Sequence, residues 1–336
     1  MDMVCSTIND KEVELNFDEV SFDNASKLAG IYALRDNQTC DSTVLDTYIW
    51  KDYYNTKIHM DEKRALLLMK NEEEYFSAMP YCKEEDLQEN FKTLEKYFNE
   101  VLKKPLKIYL ADESAVNSLN LLNDPDYIVK EENNLKDYLY SAKELRTLAG
   151  KKFQKKRNLV NKFNKEYEGR WKYVTMCCSD VYYLEEFMDR WVKKRLEENV
   201  DSEETLLQEK EGIVDILMHC DKITYRVGGI FIDDRLEAFA IGSYNPYNKM
   251  IVVSIEKGNS EIPGIYQVIN QQFLLNSYED AITVNREDDM GLEGLRHAKE
   301  SYNPIGFARK YMVLQKWGDE YMSEIEDYYE SASEVS

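Results

Sequence analysis

Strand and helix signals run through this chain in the same order twice, and few folds accommodate such a repeat. In the first half, Arg64–Met69 is a compact apolar run and Tyr75–Tyr81 a shorter one. Leu87, Phe91, Leu94, Phe98 and Leu102 then recur at steps of three and four, which places them on one face of a helix that Pro105 ends. Lys107–Leu110 predicts a short strand, Ser114–Leu122 a helix and Tyr127–Tyr140 a closing extended segment. The second half follows the plan with clearer signals. Leu184, Phe187, Met188, Trp191 and Val192 mark one helix, and Leu206–Cys220 another. Gly229–Ile232 and Leu236–Tyr244 predict strands joined by a tight hairpin at Asp233-Asp234. After the turn Asn245–Lys249 comes Met250–Ile255, which is largely β-branched and apolar. Gly258 and Pro263 punctuate the chain before a helix over Ile265–Leu275. Ala281–Val284 predicts a strand, Leu292–Ser301 a helix and Phe307–Leu314 the last strand.

Each half therefore reads β-β(-β)-α-β-α-β, an α/β class with mixed sheets and helices on both faces. That order resembles the core of the GNAT (acyl-CoA N-acyltransferase) fold. The expectation is two tandem GNAT-like domains, at residues 16–140 and 141–318. Residues 319–336 carry seven acids and no Lys or Arg, and predict a solvated acidic tail.

Composition narrows the class further. An apolar fraction of 43% supports real cores, and 13 Gly with 6 Pro exclude collagen-like and low-complexity chains. No stretch approaches the about 18 consecutive apolar residues of a membrane span, and the first residues lack the pattern of a secretory signal. A cytoplasmic location is expected. Cys5, Cys40, Cys82, Cys177, Cys178 and Cys220 form no C-x-x-C pair and read as reduced thiols. His59, His219 and His297 are far apart, so no metal site is expected.

The charge changes sign between the halves. The 336 residues sum to −21, yet Lys143 to Lys172 holds eleven Lys or Arg against three Glu, a local +8 that leaves −29 elsewhere. Within it, Lys151–Tyr167 fits a helix on which Lys151, Lys155, Lys162 and Lys165 share a stripe about 80° wide. Phe153, Val160, Phe163 and Tyr167 lie on the opposite side. The plain reading is a solvated helix face. The functional reading is a phosphate-binding surface made by Lys151, Lys152, Lys155, Arg157, Lys162 and Lys165, whose binding would weaken steeply with salt. A tRNA backbone, an anionic membrane surface or a nucleotide-bearing donor would each suit it.

Near the far end, the segment Asn285–Lys299 leaves a predicted strand and enters a helix, the place where open α/β sheets bind ligands. Gly291 and Gly294 flank the helix start, where free N–H groups can meet an oxygen anion. An acyl-transfer centre needs a group that orients the nucleophile and positive charge beside the developing oxyanion. Glu287 or Asp289 could hold a substrate ammonium; Arg286, Arg296, Lys299 or Lys310 could face a phosphate or the oxyanion. Tyr302 and Arg309 flank the same block. The plain reading is surface ion pairs around a shaped loop. His297 is read as a helix-surface residue, and no nucleophile elbow or catalytic cysteine pattern occurs.

The stretch Val284–Tyr311, the strand-end pair Glu256-Lys257 and the basic Leu148–Phe163 together resemble the phosphatidylglycerol lysyltransferase C-terminal domain family over roughly residues 16–318. The resemblance implies a tandem GNAT-like fold and, by analogy with its best-known members, transfer of an aminoacyl group from a charged tRNA to a membrane lipid. It places Arg286, Glu287, Asp289 and Lys299 at the reaction centre. Arg296, Gly291, Gly294, Tyr302, Arg309, Lys310, Glu256 and Lys257 become substrate-binding candidates. Lipid-modifying members join this domain to a multi-helix membrane portion, so the acceptor expected here is soluble or is a lipid headgroup met at a membrane surface. A coenzyme A user carries a glycine-rich turn before the helix that follows its central strand. Here that turn is Gly258–Gly264, where Pro263 lacks an N–H and Glu261 repels phosphate; its counterpart Cys82–Leu87 has three acids and no glycine. No cofactor is expected, with aminoacyl-tRNA as donor and partner. A coenzyme-A-dependent N-acyltransferase and a non-catalytic tRNA- or headgroup-binding protein are the alternatives.

Overall fold

The computed structural model describes residues 15–71, 74–198, 203–219 and 223–318, so the acidic tail lies outside the described residues. The first part of the chain forms β1 (Asp18–Glu19), α1 (Phe22–Tyr32), α2 (Val44–Ile49), β2 (Lys57–Met60), β3 (Arg64–Asn71), β4 (Glu74–Phe76) and β5 (Tyr81–Cys82). It continues through α3 (Leu87–Lys96), β6 (Lys107–Asp112), α4 (Glu113–Ser118), β7 (Tyr127–Glu131), β8 (Asp137–Ser141) and α5 (Ala142–Thr147). The basic segment forms α6 (Gln154–Glu166), followed by β9 (Trp171–Met176), α7 (Val181–Glu197) and α8 (Glu203–Met218). Then come β10 (Arg226–Ile232), β11 (Arg235–Asn245), β12 (Met250–Gly258) and α9 (Ile265–Asn276). β13 (Thr283–Asn285), α10 (Glu293–Glu300), β14 (Gly306–Ala308) and β15 (Lys310–Gln315) complete it.

Among the described residues the strands form a seven-stranded sheet in the order β14-β8-β13-β12-β11-β10-β9, a five-stranded sheet built on β1 to β5, and a three-stranded sheet β6-β15-β7. The β10–β11 hairpin turns at Asp233 and Asp234, both with positive φ (48° and 62°), the turn whose twist matches paired strands. The extended segment expected over Tyr127–Tyr140 is two strands in two sheets. So is the last strand, which divides at Arg309. β8 crosses from the first half into the large sheet, and β15 crosses back to lie between β6 and β7.

The two halves share core as well as strands. One cluster joins Leu28, Leu45 and Leu67 to Leu184, Phe187, Ile213 and Phe239. On the other face of the large sheet, Tyr140, Leu145, Phe153 and Phe163 pack with Ile251, Ile269 and Phe273. Burying each such side chain is worth about 1.5–3 kcal/mol relative to exposure.

β12 and β13 form the parallel pair of this sheet, and their pairing ends at Val252 opposite Asn285. β12 runs on to Gly258 with β11 alone beside it among the described residues. The two carboxyl ends therefore diverge into an opening. α9 leaves β12 at Gly264, whose φ is 89°; a Cβ there would lie 2.7 Å from the Leu159 carbonyl oxygen. This close approach brings α6 against the opening.

Candidate active site

The opening is lined by alternate residues of β12 and by the turn after β13. Glu256 faces into it, while its neighbour Lys257 points to the other side of the sheet, as strand alternation requires. There Lys257 pairs with Glu209 at 2.8 Å and lies 3.6 Å from the Trp191 ring centre. Arg286 Nη2 donates to Glu256 Oε1 at 2.9 Å, and Asn270 Nδ2, from α9, donates to Glu256 Oε2 at 2.9 Å. The Arg286 guanidinium lies 4.7 Å over the Tyr302 ring. Burial opposes its charge, but Glu256 and the tyrosines more than compensate, so its pKa is raised. Burial pushes the Tyr302 hydroxyl up to about 12 against the pull of Arg286.

From α6, Lys156 reaches into the same space. Its Nζ donates to Ser301 Oγ at 2.6 Å and sits 4.0 Å from the centre of the Tyr302 ring. Burial first and Arg286 second draw this ammonium down to about 8, against Glu256. Three buried polar atoms here, Arg286 Nη1, Asn270 Oδ1 and Tyr302 Oη, have no hydrogen-bond partner among the described residues. Such atoms are costly unless a ligand or water completes them.

The rest of the C-terminal constellation fastens the turn that carries Arg286. Lys299 Nζ donates to the backbone carbonyls of Arg286, at 2.6 Å, and of Asp288. Burial draws the Lys299 ammonium down, against the attraction of Glu287. Asp289 is buried and accepts from Tyr138 Oη at 2.5 Å, Arg296 Nε at 2.9 Å and the Gly291 amide at 2.9 Å. Burial would raise its pKa, yet these donors hold the carboxyl at about 2. Gly291, with φ 72°, packs against Asn134, whereas a Cβ at Gly294 would meet open space.

A second buried cluster lies where β8 and β15 cross. Lys310 is fully buried, 2.8 Å from both Asp41 and Asp137, 3.2 Å from Cys40 Sγ and 3.8 Å from Asp288. Asp137 also accepts from the Cys40 amide at 2.6 Å and from Asn285 Nδ2 at 2.9 Å. Burial alone would discharge Lys310, but Asp137 and Asp41 raise its pKa well above the ordinary range. Glu287, with φ 57°, is pushed well up by burial and by Asp46. Cys40, Asp41 and Asp137 bring metal-ligand atoms within 4.8 Å of one another, and the Lys310 ammonium already sits among them.

The structure thus brings Glu256, Arg286 and Tyr302 together, and puts Glu287, Asp289, Gly291, Arg296, Lys299 and Lys310 in the supporting loop and the crossing. Arg309 stands apart, exposed between Glu113 and Glu131 at 3.5 and 3.7 Å. Lys151, Lys155, Lys162 and Lys165 are exposed, as a phosphate-binding stripe requires. Lys152 pairs with Glu144 at 2.8 Å. Arg157 turns back to the carbonyls of Leu148 and Gly150, capping α5. Lys156 and Asn270 were not among the expected residues. Lys156 is three residues after Phe153 and four before Val160, so helical spacing alone assigns it to the packed face. Among the cysteines, Cys40, Cys82 and Cys177 are free, whereas Cys178 is disulfide-bonded rather than the reduced thiol expected.

The exchanged strands, the diverging β12 and β13 and the repeated order of elements define a tandem GNAT-like protein. The chain belongs to the phosphatidylglycerol lysyltransferase C-terminal family, whose model matches residues 32–314. It is similar to a conserved protein of unknown function from Bacteroides thetaiotaomicron, at 24% identity and a TM-score of 0.83 over 90% of this chain and all of that one. The structure of L-PGS from Bacillus licheniformis shares the fold, with a TM-score of 0.63 and 12% identity over 89% of this chain and 94% of that one. An uncharacterised protein of Mycoplasmoides gallisepticum is 26% identical over 208 residues, 61% of this chain; the match spans 64% of that relative's length.

Proposed function

We propose that the chain is an aminoacyltransferase of the cytoplasm, moving an aminoacyl group from aminoacyl-tRNA to a lipid headgroup or a soluble hydroxyl or amine. Family membership and the aminoacyltransferase-like fold support the reaction class. The observation that carries the reading is that α6 presents lysines in two directions. Lys151, on the short turn that precedes it, and Lys155, on its first turn, face solvent with Lys162 and Lys165 beyond, while Lys156 enters the opening that holds Arg286 and Glu256. A donor whose phosphates lie on the stripe would deliver its 3′ end to that opening.

There, Arg286 Nη1 and Tyr302 Oη are donors suited to the ester carbonyl oxygen as charge develops on it. Asn270 Oδ1 and Glu256 are acceptors suited to the aminoacyl ammonium. The acceptor attacks the ester directly, without a covalent enzyme intermediate. Among the described residues no helix is long and apolar enough to cross a membrane, so a lipid acceptor would be reached from its headgroup side.

Incubation of labelled aminoacyl-tRNAs with the protein and a cell extract would identify the acceptor that gains label. Lys151→Glu with Lys155→Glu should weaken tRNA binding about tenfold or more and flatten its salt dependence. Arg286→Ala should abolish transfer with binding retained; transfer that survives both changes would defeat the reading. Coenzyme A is the competing donor, and the place for it would be a groove of about 320 Å³ beside the Gly258–Gly264 turn, where Arg190, Lys194 and Arg235 are offset by Glu198 and Glu261. Thermal stabilisation by coenzyme A and not by tRNA would decide for that donor.

A further inference from the structure

We propose that Lys156 is the group that takes the acceptor's proton and returns it to the leaving oxygen. This inference rests on the transferase reading above. The geometry is that of an amine held at a reaction centre by groups that leave its lone pair a use. Among the described residues its hydrogen bond goes to Ser301 Oγ at 2.6 Å, which gives its own hydrogen to the Ala298 carbonyl at 2.6 Å and so accepts from Lys156. A neutral amine with two N–H groups can still make that bond. The Tyr302 ring lies along one side at 4.0 Å. The charged groups that face Lys156 come from two elements, Arg286 from the turn after β13 and Glu256 from β12. Arg286 is neutralised in part by its 2.9 Å pair with Glu256, so Lys156 experiences both burial and a neighbouring cation.

Lys299 offers a contrast on the same turn. Its ammonium hydrogens are committed to two backbone carbonyls, which accept and cannot donate. Even a neutral Lys299 would have both of its N–H groups taken up by those two carbonyls, so it fastens the loop. Lys156 carries no such commitment, and an ammonium drawn down to about 8 is neutral in an appreciable fraction of molecules near pH 7.5.

The step balances. The acceptor's hydroxyl oxygen or neutral amine nitrogen bonds to the donor's ester carbonyl carbon as its proton passes to neutral Lys156 Nζ. The oxyanion forms against Arg286 and Tyr302. Collapse breaks the bond between the carbonyl carbon and the ribose oxygen, and that oxygen takes the proton from the Lys156 ammonium. Lys156 ends neutral, as it began, and no other reactant is consumed.

The test compares the unaltered protein with Lys156→Arg and Lys156→Met in transfer from labelled aminoacyl-tRNA across pH 6 to 10, with tRNA binding measured alongside. The unaltered protein should show a rate that rises with pH through a midpoint near 8. Both variants should lose about 100-fold or more in rate together with that rising limb, and bind tRNA within about twofold. Arginine keeps the charge and cannot give up its proton, so it separates proton transfer from simple electrostatics. pH-dependent labelling of the unaltered protein by an amine reagent, read peptide by peptide, should place the Lys156 midpoint near 8 and not at the ~10.4 of an ordinary lysine. Unimpaired transfer by Lys156→Arg, or an ordinary midpoint, would overturn the Lys156 assignment alone. Absence of transfer by the unaltered protein would overturn the transferase reading and this step together.

Discussion

Lys155 and Lys156 are adjacent in the chain and opposite in environment, one in solvent and one beside Arg286. Identity of residue type therefore says little about role; the neighbouring atoms decide it. Asp289 makes the same point among the acids. It differs from the exposed carboxylates in having three donors aimed at it: Arg296, Tyr138 and the Gly291 amide. Its folded pKa of about 2 lies below the ~3.9 of an unfolded aspartate. A depressed carboxyl adds stability above the unfolded value and loses it as pH falls through the folded one. Asp289→Asn should accordingly lower the melting temperature at pH 6, and the gap between variant and unaltered protein should close between about pH 4 and 2. Melting curves recorded at half-unit pH steps check this. A gap that stays constant would mean that the carboxylate charge is not what holds the loop.

At the scale of elements, what could be read from the sequence was whatever had a strong period or a firm punctuation. The Asp233-Asp234 hairpin and the apolar run of β12 matched their elements because burial and turn geometry are local there. The stripe Leu87–Leu102 matched α3 as far as Leu94, with Phe98 and Leu102 carried on by a π-helical turn over Tyr97–Leu102. α1 and α2 left no such mark. α1 is started by the Ser21–Asn24 capping pair, and α2 is a six-residue helix held by tertiary contacts. The candidate site was legible in part for the same reason. Glu256, Arg286 and Tyr302 stood at strand and helix ends, whereas Asn270 lay inside α9 with nothing in its neighbours to mark it. Lys156 was marked by spacing, at the one lysine position shared with Phe153 and Val160. The α6–α9 contact that brings Lys156 inward depends on Gly264. Gly264→Ala would force a Cβ to 2.7 Å from the Leu159 carbonyl in a left-handed backbone region. A loss of about 1–3 kcal/mol in urea unfolding is expected, with weaker transfer as α6 backs away. An unchanged stability would show that α6 can retreat at no cost.

For the whole molecule, the decisive feature is that the halves cannot part without breaking a sheet. β8 belongs to the large sheet and β15 to the small one, and Lys310 and Asp137, the first residues of those strands, bond at 2.8 Å with both side chains fully buried. No periodicity could announce this, because the exchange replaces one strand by another of the same pattern. The only trace in the sequence was a charged residue beginning each of two apolar strands. Such a buried pair is poor evidence for net stability, but removing one partner leaves an uncompensated charge, at about 3–5 kcal/mol. Lys310→Met should expose that cost in full, since Asp137 would lose its cation while Asp41 loses the same one. Asp137 keeps the Cys40 amide and Asn285 as donors, so part of the loss should return when the variant is titrated to acid and the carboxyls protonate. Urea unfolding followed by tryptophan emission and by far-ultraviolet circular dichroism should give one coincident transition in the unaltered protein, because the shared core and exchanged strands couple the halves. Two separated transitions in the unaltered protein would show that the crossing does not join them; in Lys310→Met, both probes should move together to lower urea.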